Sequence, residues 1–99
     1  MTEDRPIYID IDGTLTDQPV EHWGTPWQAR LAKVRRMLAE GVQVVIWSGG
    51  GTTYARAWAE RHGLAGAVCI GKPEFCVDDN PTIRPVGRMR IVPPTEFFE

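Results

Sequence analysis

The sequence is poor in long apolar runs and in charge of one sign. Its longest apolar stretch, Val44–Trp47, is far shorter than the roughly 20 residues that span a bilayer. The 11 Lys and Arg residues against 13 Asp and Glu residues leave a net charge of -2, which argues against a protein that wraps nucleic acid or binds membrane surfaces. The acidic start, Met1–Asp4, is not that of a signal peptide. We therefore expect a soluble, cytoplasmic protein with no membrane partner.

Cysteine and histidine are also scarce, at two residues each. Cys69 and Cys76 cannot form a disulfide scaffold, and each lies in an apolar run, so we expect small buried side chains in a reducing compartment. A zinc site needs more cysteine and histidine ligands at suitable spacing than His22 and His62 supply. Both histidines are interpreted as ordinary surface or helix-end residues.

Short apolar and β-branched runs predict the strands. Four such runs are Ile7–Ile11, Val42–Trp47, Ala67–Ile70 and Phe75–Val77. The proline-rich segment after Asn80 predicts a loop, one edge strand around Met89–Val92 and a frayed end.

Two segments between these runs carry a helical period. The first is predicted to begin at Thr25, which can form a capping box with Gln28, and to end at Gly41. The second is predicted over 52–62, capped by one of the two threonines at its start. Apolar residues at helical spacing form the inner faces: Trp27, Leu31, Val34 and Leu38 in the first helix, and Ala55, Trp58 and Ala59 in the second.

The alternation of strands and helices predicts an α/β fold of three layers with a mainly parallel sheet. A chain of 99 residues can hold one hydrophobic core but not two. We therefore expect a single domain over residues 1–99.

Chemically reactive residue types stand where the predicted strands end. Because parallel strands present their carboxyl ends at one edge of a sheet, these residues are expected to converge. They are Asp10 and Asp12 after the first strand, Ser48 and Gly49 after the second, Lys72 after the third, and Asp78 and Asp79 after the fourth.

This set of residues points to phosphoryl transfer. Crowded carboxylates repel one another unless a cation joins them, and hard oxygen ligands suit magnesium together with a substrate phosphate. The turn after Ser48 offers backbone N–H groups at the start of a helix, which suit an anion, and Lys72 adds a positive charge.

The same residues resemble the motifs of a known family. Asp10–Thr16, read as DIDGTLT, resembles the signature loop of the haloacid dehalogenase superfamily of aspartate-nucleophile phosphatases. Ser48 is similar to that family's second motif, Gly71–Pro73 to its third and Val77–Asn80 to its fourth. The resemblance covers about residues 6–81, taken as the core, and leaves 82–99 as a tail. The short Gly-Lys-Pro link resembles that of small phosphatases associated with polysaccharide biosynthesis.

The resemblance implies a Rossmann-like core and a role for each motif residue. Asp10 would attack phosphorus to form an aspartyl-phosphate, and Asp12 would act as general acid and base. Asp10, Asp12 (through its carbonyl) and Asp78 would hold magnesium. Asp79 would support these ligands or contact the ion through water, and whether it touches the ion directly is left open. Ser48 and Gly49 would bind phosphate oxygens. Lys72 would bind phosphate too and stabilise the charge that develops on it.

Larger members of this family carry a cap domain, for which this chain has no room. The segment 13–25 is long enough only for a flap, and the segment 70–75 is too short for either a cap domain or a flap. We therefore expect a capless core with an open site. An open site suits bulky phosphorylated substrates such as a sugar conjugate, a nucleic-acid end or a protein, unless a second copy of the chain supplies a lid. Trp23 is a candidate substrate contact, whereas Trp27 fits the core face of the first helix.

The link between the third and fourth strands leaves the strand order open. The family places its fourth strand beyond the first, and parallel crossovers take about a dozen residues or more. Because 71–74 is much shorter, there are two alternatives. Either Ala67–Ile70 is an irregular segment, or the sheet order is altered.

Two other functions remain as alternatives. A signalling receiver domain also combines an acid pair, a phospho-accepting aspartate, a hydroxyl and a lysine. In receivers the acid pair comes first, whereas Asp78 and Asp79 come last here. A non-catalytic phosphate- or metal-binding module is the other alternative, which the retention of Asp12 disfavours.

Overall fold

A computed structural model of the chain describes residues 5–17, 24–80, 82 and 90–98. Within these ranges, strands and helices alternate along the chain. Their order is β1 (Ile7–Asp10), α1 (Gln28–Ala39), β2 (Val44–Ser48), α2 (Thr52–Arg61), β3 (Val68–Gly71), β4 (Phe75–Val77), β5 (Arg90–Val92) and α3 (Pro94–Phe98). All four predicted strand runs are confirmed in place, and β5 lies within the predicted edge strand.

The larger sheet contains three parallel strands in the order β1-β2-β3. The register pairs Asp10 with Trp47 and Ser48 with Gly71, so the carboxyl ends of the three strands share one edge. The mainly parallel α/β character expected from the sequence is confirmed.

The strand β4 pairs with β5 in a separate two-stranded parallel sheet. Because β3 is a regular strand, the first alternative for the link, an irregular segment at 67–70, is wrong. The altered strand order is the alternative that the structure adopts. The reason is the length of the link Lys72–Glu74, which is too short for the crossover that a parallel neighbour in the same sheet requires.

The core lies between the larger sheet and the helices α1 and α2. One cluster of buried side chains joins both helices to the face of β2 that carries Val44 and Ile46. On the opposite face of the sheet Tyr8 is 47% exposed and Val68 is 59% exposed. Among the described residues, the helices that pack on this sheet thus form one layer, and the third layer of the expected fold stays a prediction.

Both helix starts differ from the predicted caps. The α1 N-cap is Trp27, without a side-chain cap bond. The Thr25 N–H, which the predicted capping box would pair with the Gln28 side chain, donates instead to Asp17 Oδ1 at 2.7 Å. Trp27 is 39% exposed, so its predicted core position is wrong. The α2 N-cap is Gly51, whose φ of +103° favours glycine.

The predicted frayed end is also wrong over Pro94–Phe98, which form the short helix α3.

His62 is the C-cap of α2, which confirms its interpretation as a helix-end residue. Its carbonyl accepts a hydrogen bond from Arg35 Nη2 at 2.6 Å. Burial lowers the pKa of His62, and the positive charges of Arg61 and Arg35 lower it further.

Both cysteines are free and half-buried rather than fully buried, and burial raises the pKa of the Cys69 thiol. None of the helices in the described ranges is both long enough and apolar enough to cross a membrane. The interpretations of His22 and Trp23 fall outside the described residues.

Candidate functional site

Asp10 is the last residue of β1 and lies at the shared edge of the larger sheet. Strand alternation turns Ile9 and Ile11 toward the core, where Ile11 belongs to the core cluster and Ile9 packs against it, and leaves Asp10 on the other face. Its side chain is 29% exposed. Oδ1 lies 3.1 Å from Lys72 Nζ, and Oδ2 accepts a hydrogen bond from Thr14 Oγ1 at 3.1 Å.

The loop after β1 folds around one carbonyl. The N–H groups of residues 14, 15 and 16 all donate to the Ile11 oxygen, at 3.1, 2.7 and 3.2 Å. Gly13 has a φ of +82°, a left-handed conformation that favours glycine at this bend. Ile11, Leu15 and Thr16 are buried. Their packing gives Asp10 and Asp12 a rigid support.

Asp12 contacts the second helix. Its Oδ1 accepts a hydrogen bond from the Tyr54 hydroxyl at 2.7 Å, and Tyr54 lies in the first turn of α2. The sequence reasoning did not find Tyr54. The only signal available was its place in a helix that begins at the sheet edge where the acids lie.

Lys72 reaches Asp10 from the far side of the sheet. Its N–H donates to the Ser48 carbonyl at 2.8 Å, so the chain beyond β3 stays along the end of β2. From there Nζ lies 5.7 Å from the centre of the Trp47 ring and forms the ion pair with Asp10. The structure thus brings Asp10 and Lys72 into contact, and Asp12 follows Asp10 by two residues in the loop.

Ser48 organises the turn that follows β2. Its Oγ accepts a hydrogen bond from the Gly50 N–H at 3.0 Å, and its carbonyl accepts from Gly51 N at 3.2 Å. Ser48 is 1% exposed, whereas Gly49 is exposed. Of the two residues predicted to bind phosphate in this turn, only Gly49 therefore lies at the surface.

A close crossing of backbones attaches this turn to the lysine segment. Gly71 N–H donates to Thr52 Oγ1 at 2.8 Å. A Cβ atom at Gly71 would lie 2.9 Å from Gly51 Cα and 3.0 Å from Thr52 N, which is too close for any other residue without movement of the backbone. The start of α2 and the residue before Lys72 are therefore held together.

Replacement of Gly71 by alanine is expected to lower the free energy of unfolding by about 1–3 kcal/mol, because the added methyl group separates the two backbones. Urea denaturation measures this change. Gly66→Ala is the matched control, since a Cβ atom there meets nothing within 4 Å, and it should be neutral or slightly stabilising. Equal stability of the two variants would contradict the crossing.

Asp78 and Asp79 lie apart from this group, after β4 in the smaller sheet. Asp78 N–H donates to the Val92 carbonyl at 2.9 Å, and its Oδ1 accepts from Asn80 N–H at 2.7 Å. The two acids line a cavity of about 280 Å³ together with Ile91 and Pro93. The described residues contain no group of three or more His, Cys, Asp or Glu side chains that could hold a metal ion.

The oxygen donors of Asp10 and Asp12 nevertheless fit magnesium in kind. This ion takes one or two carboxylates and completes its shell with water and substrate phosphate, so a third protein carboxylate is not required. The assignment of Asp78 as a further ligand stays a prediction.

No protein-family model, curated protein or solved structure matches this chain.

Proposed function

We propose that this chain is a magnesium-dependent phosphomonoester hydrolase that acts through an aspartyl-phosphate, with a site like that of the haloacid dehalogenase superfamily. The observation that carries the proposal is the contact of Asp10 Oδ1 with Lys72 Nζ at 3.1 Å. It puts an ionisable nucleophile and an ammonium group at the carboxyl edge of a parallel sheet, and Asp12 stands two residues further on.

Asp10 is the proposed nucleophile. Its carboxylate oxygen attacks phosphorus, and the bond from phosphorus to the leaving oxygen breaks. Asp12 gives its proton to that oxygen, which departs as an alcohol. A water molecule then attacks the phosphorus of the aspartyl-phosphate and gives its proton to Asp12. Inorganic phosphate leaves, and the Asp10 carboxylate and the Asp12 carboxyl group are restored.

Lys72 is the proposed charge stabiliser. Its ammonium group neutralises Asp10 while the site is empty. When a phosphate group enters, the same ammonium can turn to the phosphate oxygens, because its side chain is 32% exposed and its stem is flexible. The Gly49 N–H is proposed to bind a second phosphate oxygen. The buried Ser48 hydroxyl supports this turn by accepting the Gly50 N–H. Stabilisation of this kind is often the largest contribution to catalysis.

Magnesium would supply positive charge that offsets the repulsion between an anionic nucleophile and an anionic substrate. We propose that the Asp10 carboxylate and the Asp12 carbonyl hold it. Asp78 would join them as a ligand if β4 approached β1.

The proposed substrate is a bulky phosphorylated molecule such as a sugar conjugate, a nucleic-acid end or a protein. The partial exposure of Asp10 and Lys72 supports an open site, and the link Lys72–Glu74 has no room for a cap. A second copy of the chain is the proposed source of a lid. We propose one capless domain, acting in the cytoplasm, which two free cysteines support.

Release of inorganic phosphate from 4-nitrophenyl phosphate tests the proposed function. We expect release with magnesium and at least a tenfold fall with a chelator, restored by added magnesium. A thermal shift with magnesium and beryllium fluoride, which mimics a phosphoryl group on aspartate, measures whether the site assembles. A shift without turnover would favour the non-catalytic module, and a long-lived phosphorylated protein would favour the receiver. If the protein shows no turnover and no thermal shift, both the proposed catalysis and the proposed binding are refuted.

A further inference from the structure

The hydroxyl of Tyr54 and the carboxyl group of Asp12 form one of the longest-range side-chain contacts at the site. The 2.7 Å hydrogen bond joins residues 42 positions apart. It connects the loop after β1 to the first turn of α2 and is part-buried, where a hydrogen bond is stronger than in bulk water.

Tyr54 is firmly anchored from its own side. The next turn of α2 contains Trp58 and Ala59, and Ala55 follows Tyr54 directly. All three are fully buried. The start of the helix is held by the hydrogen bond from Gly71 to Thr52. The helix therefore supplies a fixed phenol oxygen, to which the Asp12 side chain in the loop adjusts.

We propose that Tyr54 is a positioning residue that aims Asp12 at the leaving oxygen of the substrate. This inference rests on the proposed function. Because Oδ1 of Asp12 already accepts the phenol hydrogen, the transferable proton belongs on Oδ2, and the hydrogen bond sets the direction in which Oδ2 points. A general acid works only within hydrogen-bond reach of its target, so this direction controls proton transfer.

The chemistry of the leaving group separates positioning from a purely structural role. An alkoxide leaves only when it is protonated, whereas 4-nitrophenolate leaves as a stable anion. We expect Tyr54→Phe to lower kcat/KM, which reports the steps up to formation of the aspartyl-phosphate, by about 10- to 100-fold for an alkyl phosphate such as glycerol phosphate. With 4-nitrophenyl phosphate we expect less than about a twofold change in kcat/KM, because the later hydrolysis of the aspartyl-phosphate, in which Asp12 also acts, does not enter this quantity.

Two variants serve as controls. Asp12→Asn should show the same dependence on the leaving group to a greater degree, and adding Tyr54→Phe to it should cause no further loss. Tyr8→Phe removes the hydroxyl of the chain's other tyrosine, whose ring centre lies 4.6 Å from that of Trp47, and should leave the ratio of the two kcat/KM values unchanged. Equal losses of kcat/KM on both substrates in Tyr54→Phe, or no loss on either, would overturn the inference.

A crystal structure of Tyr54→Phe tests the inference separately from the proposed function. If the wild type releases no phosphate from either substrate, the proposed function fails. The crystal structure of the variant still shows whether the Tyr54 hydroxyl fixes the direction of the Asp12 carboxyl group. We expect the Asp12 carboxyl group to turn away from its wild-type direction, while Asp10 and Lys72 stay in contact. An unchanged Asp12 direction would overturn the positioning role.

Discussion

Replacement of Asp10 by asparagine is expected to lower kcat for 4-nitrophenyl phosphate by on the order of 10⁴-fold or more, because an amide oxygen cannot form the aspartyl-phosphate. The substitution changes neither size nor shape. Asparagine still offers an oxygen to Thr14 Oγ1, which donates to Asp10 at 3.1 Å. The ammonium group of Lys72 loses its partner but is partly exposed, so water can solvate it. We therefore expect the variant to fold.

Phosphate release in magnesium, with enough enzyme to detect a very slow rate, measures the effect. Asp17→Asn is the matched control in the same loop, because Asp17 Oδ1 accepts the Thr25 N–H, as an amide oxygen also can. That variant should keep wild-type kcat within about twofold, as expected for an exposed residue away from the reacting groups. Asp10→Asn with more than about a tenth of wild-type activity would rule out Asp10 as the nucleophile.

Replacement of Trp58 by alanine is expected to lower the free energy of unfolding by about 3–5 kcal/mol. Trp58 is fully buried and is the largest such side chain among the described residues. Its loss leaves a cavity between α2 and the sheet. Small domains are stable by only about 5–15 kcal/mol in total, so this change removes a large share. The consequence extends to the site, because α2 also carries Tyr54 and Thr52.

Urea denaturation of two further variants isolates the cause. Trp27→Ala removes the same side chain where it is 39% exposed and where Arg30 lies 3.5 Å from the ring centre, so we expect a cost of about 1 kcal/mol or less. Trp58→Phe keeps an aromatic ring in the core. It also removes an indole N–H that has no hydrogen-bond partner among the described residues, so it should cost less than alanine. Equal costs at positions 27 and 58 would contradict the packing of α2.

The residue pattern was sufficient to locate the strands but not the helix starts. Residues that alternate or run as apolar blocks reveal a strand through their immediate neighbours. The start of a helix depends on which acceptor each backbone N–H group near it donates to. Thr25 donates its N–H to Asp17, next to an isolated antiparallel bridge between Thr16 and Pro26. That competition does not appear in the local pattern.

The candidate site was predictable to the extent that it follows from parallel strands. Asp10 and Lys72 meet because the strands that precede them end at one edge, a general property of such sheets. Asp78 does not follow this rule, because the short link sends β4 into a second sheet. Strand pairing is decided by the length of a connection and by the free edges available to it, and the residues of the strand itself do not specify it.

The sequence by itself determined the strand runs, the helical faces of α2, the residue types at the strand ends and the glycine at the bend after Asp12. Each of these depends on neighbours within a few positions. The tertiary structure alone decided that Tyr54 holds Asp12 and that Gly71 crosses Gly51. It also decided that the Ser48 side chain is buried under the turn that follows β2. These contacts join elements that are distant in the sequence, and the packing of side chains in a common core sets their relative position. A sequence pattern over a few neighbouring residues does not specify that packing.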